Sequence, residues 1–268
     1  NIIVGLIFIK TKVILREASS PLTEIKSTTN TEIKRWVKYL FYKIYSLSDR
    51  VIVLNKSAKD EMLKLNSRTK IKIVPNPTNK VLLVNLKETK NRKFSEYKNI
   101  IFVGRFVETK KPFFAIDLIT SLGEEYNLIF CGDGPLKNDM KKYVANLGIS
   151  HKVKFLGFVN NSEISLQMRN NCIYLSTSLF EGMSNALILA MSNNCPIIAY
   201  KAPGISDQLE DGKWGLLFNE FDINLVKKLI RKIRRSDLSF YQSNSQLCLK
   251  DVKYDINNVI NSYINKLY

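Results

Sequence analysis

The sequence predicts an α/β protein with parallel β-sheets, and three observations support this prediction. Short apolar segments alternate with amphipathic helical segments from residue 99 onward. The apolar segments lack alternating polar residues, as expected of strands that are covered on both faces. A second, shorter series of the same kind precedes them. The chain of 268 residues is therefore predicted to form two α/β domains of unequal length.

The longer series supplies the larger predicted domain, residues 99–250. Strands are predicted at 100–103, 127–131, 153–156, 172–175 and 196–199. Apolar residues at helical spacing lie between them, at 112–122, 135–147, 162–169 and 184–192. Parallel strands joined by helices form one sheet with helices on both faces, so we expect a doubly wound, Rossmann-like domain here.

The shorter series lies in the first predicted domain, residues 1–79. Strands are predicted at 13–15, 50–54 and 71–74, and helices at 31–47 and 57–65. A complete domain of this kind runs to about 150 residues. Its opening strands are therefore expected to be missing, and we interpret the chain as N-terminally truncated. The lysine-rich residues 80–98 are interpreted as a linker.

The composition indicates anionic partners and a reducing compartment. The 41 Lys+Arg residues outnumber the 24 Asp+Glu residues, which gives a formal net charge of +17. Such a field favours nucleotide diphosphates, nucleic acid or an acidic membrane surface. The four cysteines show no metal-ligand spacing and are expected to be reduced, which favours a cytoplasmic location. The single histidine, His151, is expected at the surface.

Two glycine-containing segments follow the first two strands of the larger domain. Gly104 is followed by Arg105 and Lys110, which can bind phosphate oxygens at the carboxyl edge of a parallel sheet. Solvated surface cations are the other interpretation of this segment. Gly132 and Gly134 then predict a tight strand-to-helix turn, for which a purely structural role is favoured.

A third segment, residues 178–187, carries the most information. Glu181 and Gly182 precede a helix whose first turn has free backbone N–H groups, which together with the helix dipole form an anion site. Ser184 can serve instead as the helix cap. Glu181 can accept hydrogen bonds from sugar hydroxyls. Glycine-rich segments at 201–207 and 210–215 follow.

The order of these segments resembles glycosyltransferase family 4, whose members are retaining enzymes of the GT-B fold. The matching segments are 104–110, 132–135, 155–157, 181–182, 204–207 and 212–217, with further likeness at 48–54 and 75–77. Residues 254–268 resemble the family's last helix, which crosses back to the first domain, so a final segment is set at 251–268. The resemblance implies a GT-B architecture of two Rossmann-like domains, the first incomplete.

The resemblance also implies roles for the matching residues. Arg105 and Lys110 would hold the diphosphate of a nucleotide-sugar donor, and Glu181 would contact the donor sugar. Further donor contacts are implied for Gly104, Gly132, Gly134, Leu156, Gly157, Phe158, Gly182, Met183, Ser184 and Asn185. The chain contains no Asp-x-Asp sequence, so we expect no metal; no cofactor is expected either, because the nucleotide sugar is a substrate.

The implied function is hexose or N-acetylhexosamine transfer with retention, from a UDP-sugar to a glycan or lipid-linked acceptor of lipopolysaccharide or capsule synthesis. One residue departs from the family pattern, because Leu189 stands where a second Glu binds the donor ribose. Weaker donor binding, a substitute such as Asn185, or an inactive nucleotide-sugar-binding homologue all remain open. A nucleic-acid-binding protein is disfavoured, since no such motif is present.

Two features of the first domain leave alternatives open. The helix at 31–47 is interpreted as an ordinary amphipathic core helix, with peripheral contact to an anionic membrane as the alternative. An enzyme using that contact would work at the inner face of the plasma membrane. Glu17 follows a predicted strand, and both a cleft position and a polar loop role stay open for it.

Overall fold

The computed structural model describes residues 13–22, 25, 32–76, 98–170 and 172–235. They form two α/β units, each built on a parallel sheet. The first unit contains strands β1 (Ile14–Glu17), β2 (Arg50–Val53) and β3 (Ile71–Ile73), in the order β1–β2–β3. Its described helices of eight or more residues are α1 (Glu32–Ile44) and α2 (Lys56–Leu65).

The second unit is a six-stranded parallel sheet flanked by helices. Its strands are β4 (Asn99–Val103), β5 (Asn127–Cys131), β6 (Val153–Gly157), β7 (Cys172–Ser176), β8 (Ile197–Tyr200) and β9 (Leu216–Phe218). Its helices are α3 (Pro112–Ser121), α4 (Lys137–Asn146), α5 (Asn161–Arg169), α6 (Asn185–Ser192), α7 (Pro203–Gln208) and α8 (Ile223–Arg235). The strands lie in the order β6–β5–β4–β7–β8–β9, and all neighbours are parallel.

Both faces of the larger sheet are buried, as the apolar strands predicted. Successive side chains of a strand point to opposite faces, so Ile100 and Ile101 of β4 enter different core clusters. Ile101 packs with Leu187 of α6, whereas Ile100 packs with Ile116 of α3. Burying one such aliphatic side chain contributes about 1.5–3 kcal/mol relative to its exposure.

Helices begin where short polar side chains or proline satisfy the first turn. Asn160 accepts a hydrogen bond from the Glu163 N–H at 2.9 Å and thereby caps α5. Pro112 occupies the first turn of α3, where its missing N–H costs nothing. Helix α4 starts at Lys137, two residues later than the sequence predicts, because Gly134 and Pro135 belong to the preceding turn.

The sequence predicts that the apolar face of the first helix packs in the core, and this prediction is wrong. Ile33, Trp36 and Val37 are 73%, 64% and 54% exposed, measured among the residues that the structure describes. The helix is buried through Tyr42 instead, whose ring packs with the cluster around Met62 of α2. The apolar face therefore lies opposite the contact that holds the helix.

Other expectations are confirmed or fall outside the described residues. His151 is exposed and lies 3.1 Å from a Glu124 carboxylate oxygen. Cys131, Cys172 and Cys195 are buried thiols. None of the helices described here is long and apolar enough to cross a membrane. The predicted linker, apart from residue 98, and the predicted final segment 251–268 lie outside the described residues.

Candidate functional site

The strand order creates a crevice at the carboxyl ends of β4 and β7. Chain connections run from β4 toward β5 and β6 on one side, and from β7 toward β8 and β9 on the other. The loops after β4 and β7 therefore diverge, which opens the crevice where doubly wound sheets bind ligands. The first loop carries Arg105 and Lys110, and the second carries Glu181. The topology thus brings the three predicted catalytic residues to one edge.

The loop after β4 rests on the loop after β5, and two glycines permit the contact. A Cβ atom on Gly132 would lie 2.0 Å from the carbonyl oxygen of Gly104. A Cβ atom on Gly134 would lie 2.5 Å from the carbonyl oxygen of Phe106. Both distances are far below van der Waals contact. Gly132 and Gly134 therefore position the loop that carries Arg105, as the structural interpretation of this turn predicted.

Hydrogen bonds join the loops after β4 and β7. The Lys110 ammonium group donates to Oε1 of Glu181, and the Ser178 hydroxyl lies 3.2 Å from the same oxygen. The Thr177 hydroxyl donates to the Lys110 carbonyl oxygen at 2.5 Å. The side chains of Lys110 and Glu181 keep exposed fractions of 23% and 18%. The pair is thus fixed by the protein and remains partly exposed.

The N-terminus of α6 is braced by a buried glutamine. Ser184 caps the helix, its hydroxyl accepting the Leu187 N–H at 3.3 Å. The Gln208 side chain accepts the Ser184 N–H at 2.7 Å and donates to the Ser184 carbonyl oxygen at 3.1 Å. Ser184 therefore has a structural role, which differs from the expectation that its N–H meets the donor. Asn185, the first residue of the helix, is exposed at the crevice.

Two adjoining cavities open along the crevice. The larger, of about 730 Å³, lies between the two units, with Arg16 and Asn76 in its wall on one side and Met183, Asn185 and Leu189 on the other. Residues of the described chain that line it include no carboxylate. The larger cavity therefore offers hydrogen-bond donors at its rim and an apolar wall along α6.

The smaller cavity, of about 430 Å³, lies at the ends of β4, β5 and β6. Its wall includes Gly104, Arg105, Gly132 and Phe158, all of which the sequence predicted as site residues. Phe158 is 91% exposed, so its ring is available to a ligand. The two cavities share Val103, Asn161 and Ile164, which makes them parts of one continuous depression.

Several predicted site residues line neither cavity, and Lys110 and Glu181 are among them. Leu156 packs against the core, and the Gly157 carbonyl oxygen accepts the Gly132 N–H at 2.7 Å. Gly182 is enclosed by backbone from both units rather than open to the crevice, since a Cβ there would lie 1.9 Å from the Ala18 carbonyl oxygen. Leu156, Gly157 and Gly182 therefore support the backbone around the site without lining either cavity.

The first unit contributes residues that the sequence did not single out. The Arg16 guanidinium donates to Asn76 at 2.7 Å, and the Asn76 amide donates to Asn185 at 2.9 Å. This chain of hydrogen bonds spans the larger cavity from one unit to the other. The Asp207 carboxylate accepts the Ser57 N–H at 2.7 Å, which joins α7 to α2. Such contacts link residues far apart in sequence, so no local pattern indicates them.

Glu17 belongs to the support of the first unit. Its Oε1 atom accepts hydrogen bonds from the N–H and hydroxyl of Ser19 at 2.8 and 2.6 Å, and its Oε2 atom lies 3.1 Å from the Tyr45 hydroxyl. With the carboxylate buried, these bonds fix the loop after β1. Of the two roles left open by the sequence, the structure therefore favours the polar loop role.

Charge at the crevice is mainly positive. The Lys137 ammonium group and the Gly134 N–H hydrogen-bond to Asp133 and hold the pKa of that carboxyl below its ordinary value. Asp133 is thus ionised and paired beside Arg105. Within the described ranges, no group of three or more His, Cys, Asp or Glu residues could hold a metal ion.

Comparison with known proteins identifies the family. The family model described as glycosyl transferases group 1 matches residues 85–244. This chain belongs to the glycosyl transferases group 1. An uncharacterized glycosyltransferase of Methanocaldococcus jannaschii is 29% identical over 94% of this chain and 71% of its own length. The capsular polysaccharide biosynthesis glycosyltransferase CapH of Staphylococcus aureus is 30% identical over 58% of this chain and 45% of its own length.

Solved structures of glycosyltransferases confirm the GT-B fold. Anabaena Alr3699/HepE, solved with UDP and glucose, aligns with a TM-score of 0.79 at 17% identity over 99% of this chain and 74% of its own. TarM of Staphylococcus aureus, in a complex containing UDP, aligns with a TM-score of 0.77 at 18% identity over 96% of this chain. This group 1 glycosyltransferase chain spans 50% of the TarM chain.

Proposed function

We propose that this glycosyltransferase moves a hexose or N-acetylhexosamine from a nucleotide-diphosphate sugar, with UDP as the expected nucleotide, to a glycan or lipid-linked acceptor. We further propose that it is a family 4 enzyme that retains the anomeric configuration and needs no metal. The observation that carries the proposal is the crevice between β4 and β7. There, Lys110 pairs with Glu181 shortly before the N-terminus of α6, and Arg105 lies on the same loop as Lys110.

The diphosphate fits between the cationic loop and the start of α6. Arg105 is exposed and lines the smaller cavity, so its planar guanidinium can bind two phosphate oxygens. Asn185 offers an exposed amide at the helix N-terminus, where the helix dipole favours an anion. Lys110 supplies a second cation. Together these groups neutralise the charge of the donor.

The nucleoside and the sugar occupy opposite ends of the same depression. The exposed ring of Phe158 offers a stacking surface for the base beside the loop glycines Gly104 and Gly132. Glu181 lines neither cavity, and its carboxylate, paired with Lys110, would accept hydrogen bonds from the hydroxyls of a donor sugar that extends toward it. The domains that we propose, 1–79 and 99–250, would then place the acceptor on the side of the first unit.

Catalysis follows from charge that develops on the leaving group. Transfer forms a bond between the anomeric carbon and an acceptor hydroxyl oxygen, whose proton leaves to the departing diphosphate or to solvent. The bond between the anomeric carbon and a diphosphate oxygen breaks, so negative charge grows on the departing nucleotide. Arg105 and Lys110 stabilise that charge more strongly in the transition state than in the ground state. Each charge-assisted contact contributes about 1.5–3 kcal/mol. Together the two cations would provide the charge neutralisation that a metal ion would otherwise supply.

Turnover in the absence of metal tests the proposal. The full chain is incubated with UDP-glucose, UDP-galactose and UDP-N-acetylglucosamine in EDTA, with water as the acceptor, and UDP release is measured. We expect release from at least one donor, with proton NMR showing a product of the donor's anomeric configuration. Glu181→Ala should abolish release, and the exposed Glu220→Ala should not.

A second candidate, an inactive nucleotide-sugar-binding homologue, is favoured by one observation. Leu189 forms part of the larger cavity wall, and no carboxylate lies among its described lining residues. Carboxylates commonly bind ribose hydroxyls in doubly wound folds. Binding of a UDP-sugar without UDP release would support this candidate, whereas release would exclude it.

Membrane contact and the cellular process belong to the same proposal. Helix α1 carries Lys34, Arg35 and Lys38 next to the exposed Trp36, and such a surface suits an anionic bilayer. We propose peripheral contact at the cytoplasmic face, where lipid-linked acceptors of capsule or lipopolysaccharide synthesis would be met. We expect the protein to cosediment with vesicles containing phosphatidylglycerol. This binding should be lost with vesicles of phosphatidylcholine alone and reduced by Trp36→Ala.

A further inference from the structure

The side chain of Asn55 connects the first unit to the donor loop of the second. Asn55 is buried at the start of α2, and its Oδ1 atom accepts the Ala58 N–H at 2.7 Å. Its Nδ2 atom donates to the carbonyl oxygen of Gly182, 127 residues away in sequence. The two partners define the orientation of the amide, because one supplies a donor and the other an acceptor.

The peptide that Asn55 holds is closely packed on two sides. A Cβ atom on Gly182 would lie 1.9 Å from the Ala18 carbonyl oxygen of the first unit. A Cβ atom on Gly204 would lie 2.0 Å from the Glu181 carbonyl oxygen. The backbone at Glu181 and Gly182 is therefore enclosed between the loop after β1 and the start of α7. Any displacement of Asn55 is transmitted directly to this backbone.

Asn55 itself does not line either cavity. It carries no charge and is only 7% exposed, so its side chain offers little surface to a donor molecule. Its hydrogen bond ends at the residue next to Glu181, whose carboxylate is oriented further by Lys110 and Ser178. An influence of Asn55 on the reaction must therefore pass through the position of Glu181.

We infer that Asn55 is a positioning residue for Glu181, so that contact with the donor sugar depends on the first unit. The inference rests on the proposed function, in which Glu181 contacts that sugar. Arg105 lies on a loop that packs on Gly132 and Gly134 of the second unit, so the supports described for this loop do not involve Asn55. Loss of the Asn55 bond should therefore impair turnover and leave binding of the nucleotide intact.

Two substitutions remove the bond while keeping the helix cap. Asn55→Ser retains a hydroxyl that caps α2 but is too short to reach both partners. Asn55→Asp retains the size and the capping oxygen but replaces the N–H donor with an acceptor. Asn160, the exposed cap of α5, provides the matched controls Asn160→Ser and Asn160→Asp. All variants are made in the full chain, and their melting temperatures are recorded.

The readouts are kcat for UDP release from the best of the three UDP-sugars above, and the Kd of UDP by calorimetry. We expect both Asn55 variants to lower kcat about tenfold or more, since small misplacements of catalytic groups are costly. The Kd of UDP should stay within about twofold of the wild type. The Asn160 variants should match the wild type in both measurements. If Asn55→Asp does not fold, Asn55→Ser carries the comparison.

Three results would overturn the inference in distinguishable ways. Unchanged kcat in a folded Asn55 variant, while Glu181→Ala is inactive, excludes the positioning role alone. Loss of UDP binding in parallel with kcat shows that Asn55 has only a general structural role. Absence of UDP release by the wild type, or full release by Glu181→Ala, rejects the proposed role of Glu181 and the inference with it.

Discussion

The Lys110 ammonium group donates a hydrogen bond to the Glu181 carboxylate, which joins the loop after β4 to the loop after β7. A cation and an anion that are both assigned to the donor thus neutralise each other before the donor arrives. A diphosphate must share Lys110 with Glu181. The two side chains are therefore expected to be energetically coupled.

A double-mutant cycle tests that coupling. Lys110→Ala should weaken UDP binding about tenfold or more, because it removes a cation and leaves Glu181 unpaired beside the diphosphate. The double variant Lys110→Ala/Glu181→Ala should bind UDP more tightly than Lys110→Ala, since the repulsive carboxylate is gone. Calorimetry measures the Kd of UDP for the wild type, the two single variants and the double variant. Strictly additive effects would contradict the ion pair as a functional unit.

Gly182 and Gly204 should not tolerate even a methyl group. Gly182→Ala would place Cβ 1.9 Å from backbone of the first unit, and Gly204→Ala would place it 2.0 Å from the Glu181 carbonyl oxygen. Because backbone must shift in each case, we expect a loss of about 1–3 kcal/mol in the free energy of unfolding and a loss of turnover. Urea unfolding and UDP release are the measurements.

Gly123→Ala is the matched control for these two substitutions. Its added Cβ would approach only the flexible end of the Glu125 side chain, which can move away. Its stability and turnover should therefore stay close to those of the wild type. If all three substitutions had equal effects, the close contact around Glu181 could not explain the losses of stability and turnover caused by Gly182→Ala and Gly204→Ala.

Gln208 should stabilise the start of α6. Its buried amide satisfies both the N–H and the carbonyl oxygen of Ser184. Gln208→Leu leaves the buried Ser184 N–H without this partner, whereas the Ser184 carbonyl oxygen keeps its hydrogen bond from the Ile188 N–H at 3.1 Å. We therefore expect a loss of about 1–3 kcal/mol in the free energy of unfolding. Gln167→Leu, which removes a contact with Glu163 within one helix, should cost far less. Comparable costs in urea unfolding would argue against this bracing role.

The buried thiol of Cys131 should be unreactive in the folded protein. Burial, assisted by the negative charge of Glu163, raises its pKa from 9.0 to about 12. Because the thiolate is the nucleophile, iodoacetamide at pH 8 should label Cys131 only after unfolding. Mass spectrometry of the labelled peptide measures this, and rapid labelling of the native protein would contradict the burial.

The same pKa change predicts how stability varies at high pH. The folded-state pKa of Cys131 lies above its unfolded value, so the stability linked to its proton is fully present below pH 9. As the pH rises from 9 toward 12, the unfolded state loses this proton first and stability falls. Cys131→Ala should show a shallower decline than the wild type over this range.

The sequence predicted the fold well because its signals are local. The central strands of the second unit, β4, β5, β7 and β8, are almost entirely apolar. Strands that are covered on both faces require such residues. Strand β9 and helix α7 were not predicted, since both are short and lie in or beside segments with glycines that indicated turns. The exposed face of α1 could not be foreseen, because periodicity reveals an apolar face but not its partner.

The candidate site was predictable only in part. Arg105, Lys110 and Glu181 follow strands, and the topology brings their loops together. Asn55 and Gln208 were missed because their roles arise from contacts with residues 127 and 24 positions away. Nothing in a polar residue at a helix start indicates that its amide also holds a distant carbonyl group.

Calorimetric titration with UDP tests the central claim, that the crevice between β4 and β7 is the donor site. The full chain is compared with Arg105→Ala and Lys110→Ala, and with Arg231→Ala as an exposed cation on α8. We predict micromolar binding by the wild type and by Arg231→Ala, weakened about tenfold or more by the other two substitutions. No binding of UDP, or equal affinity in all four proteins, would contradict the claim.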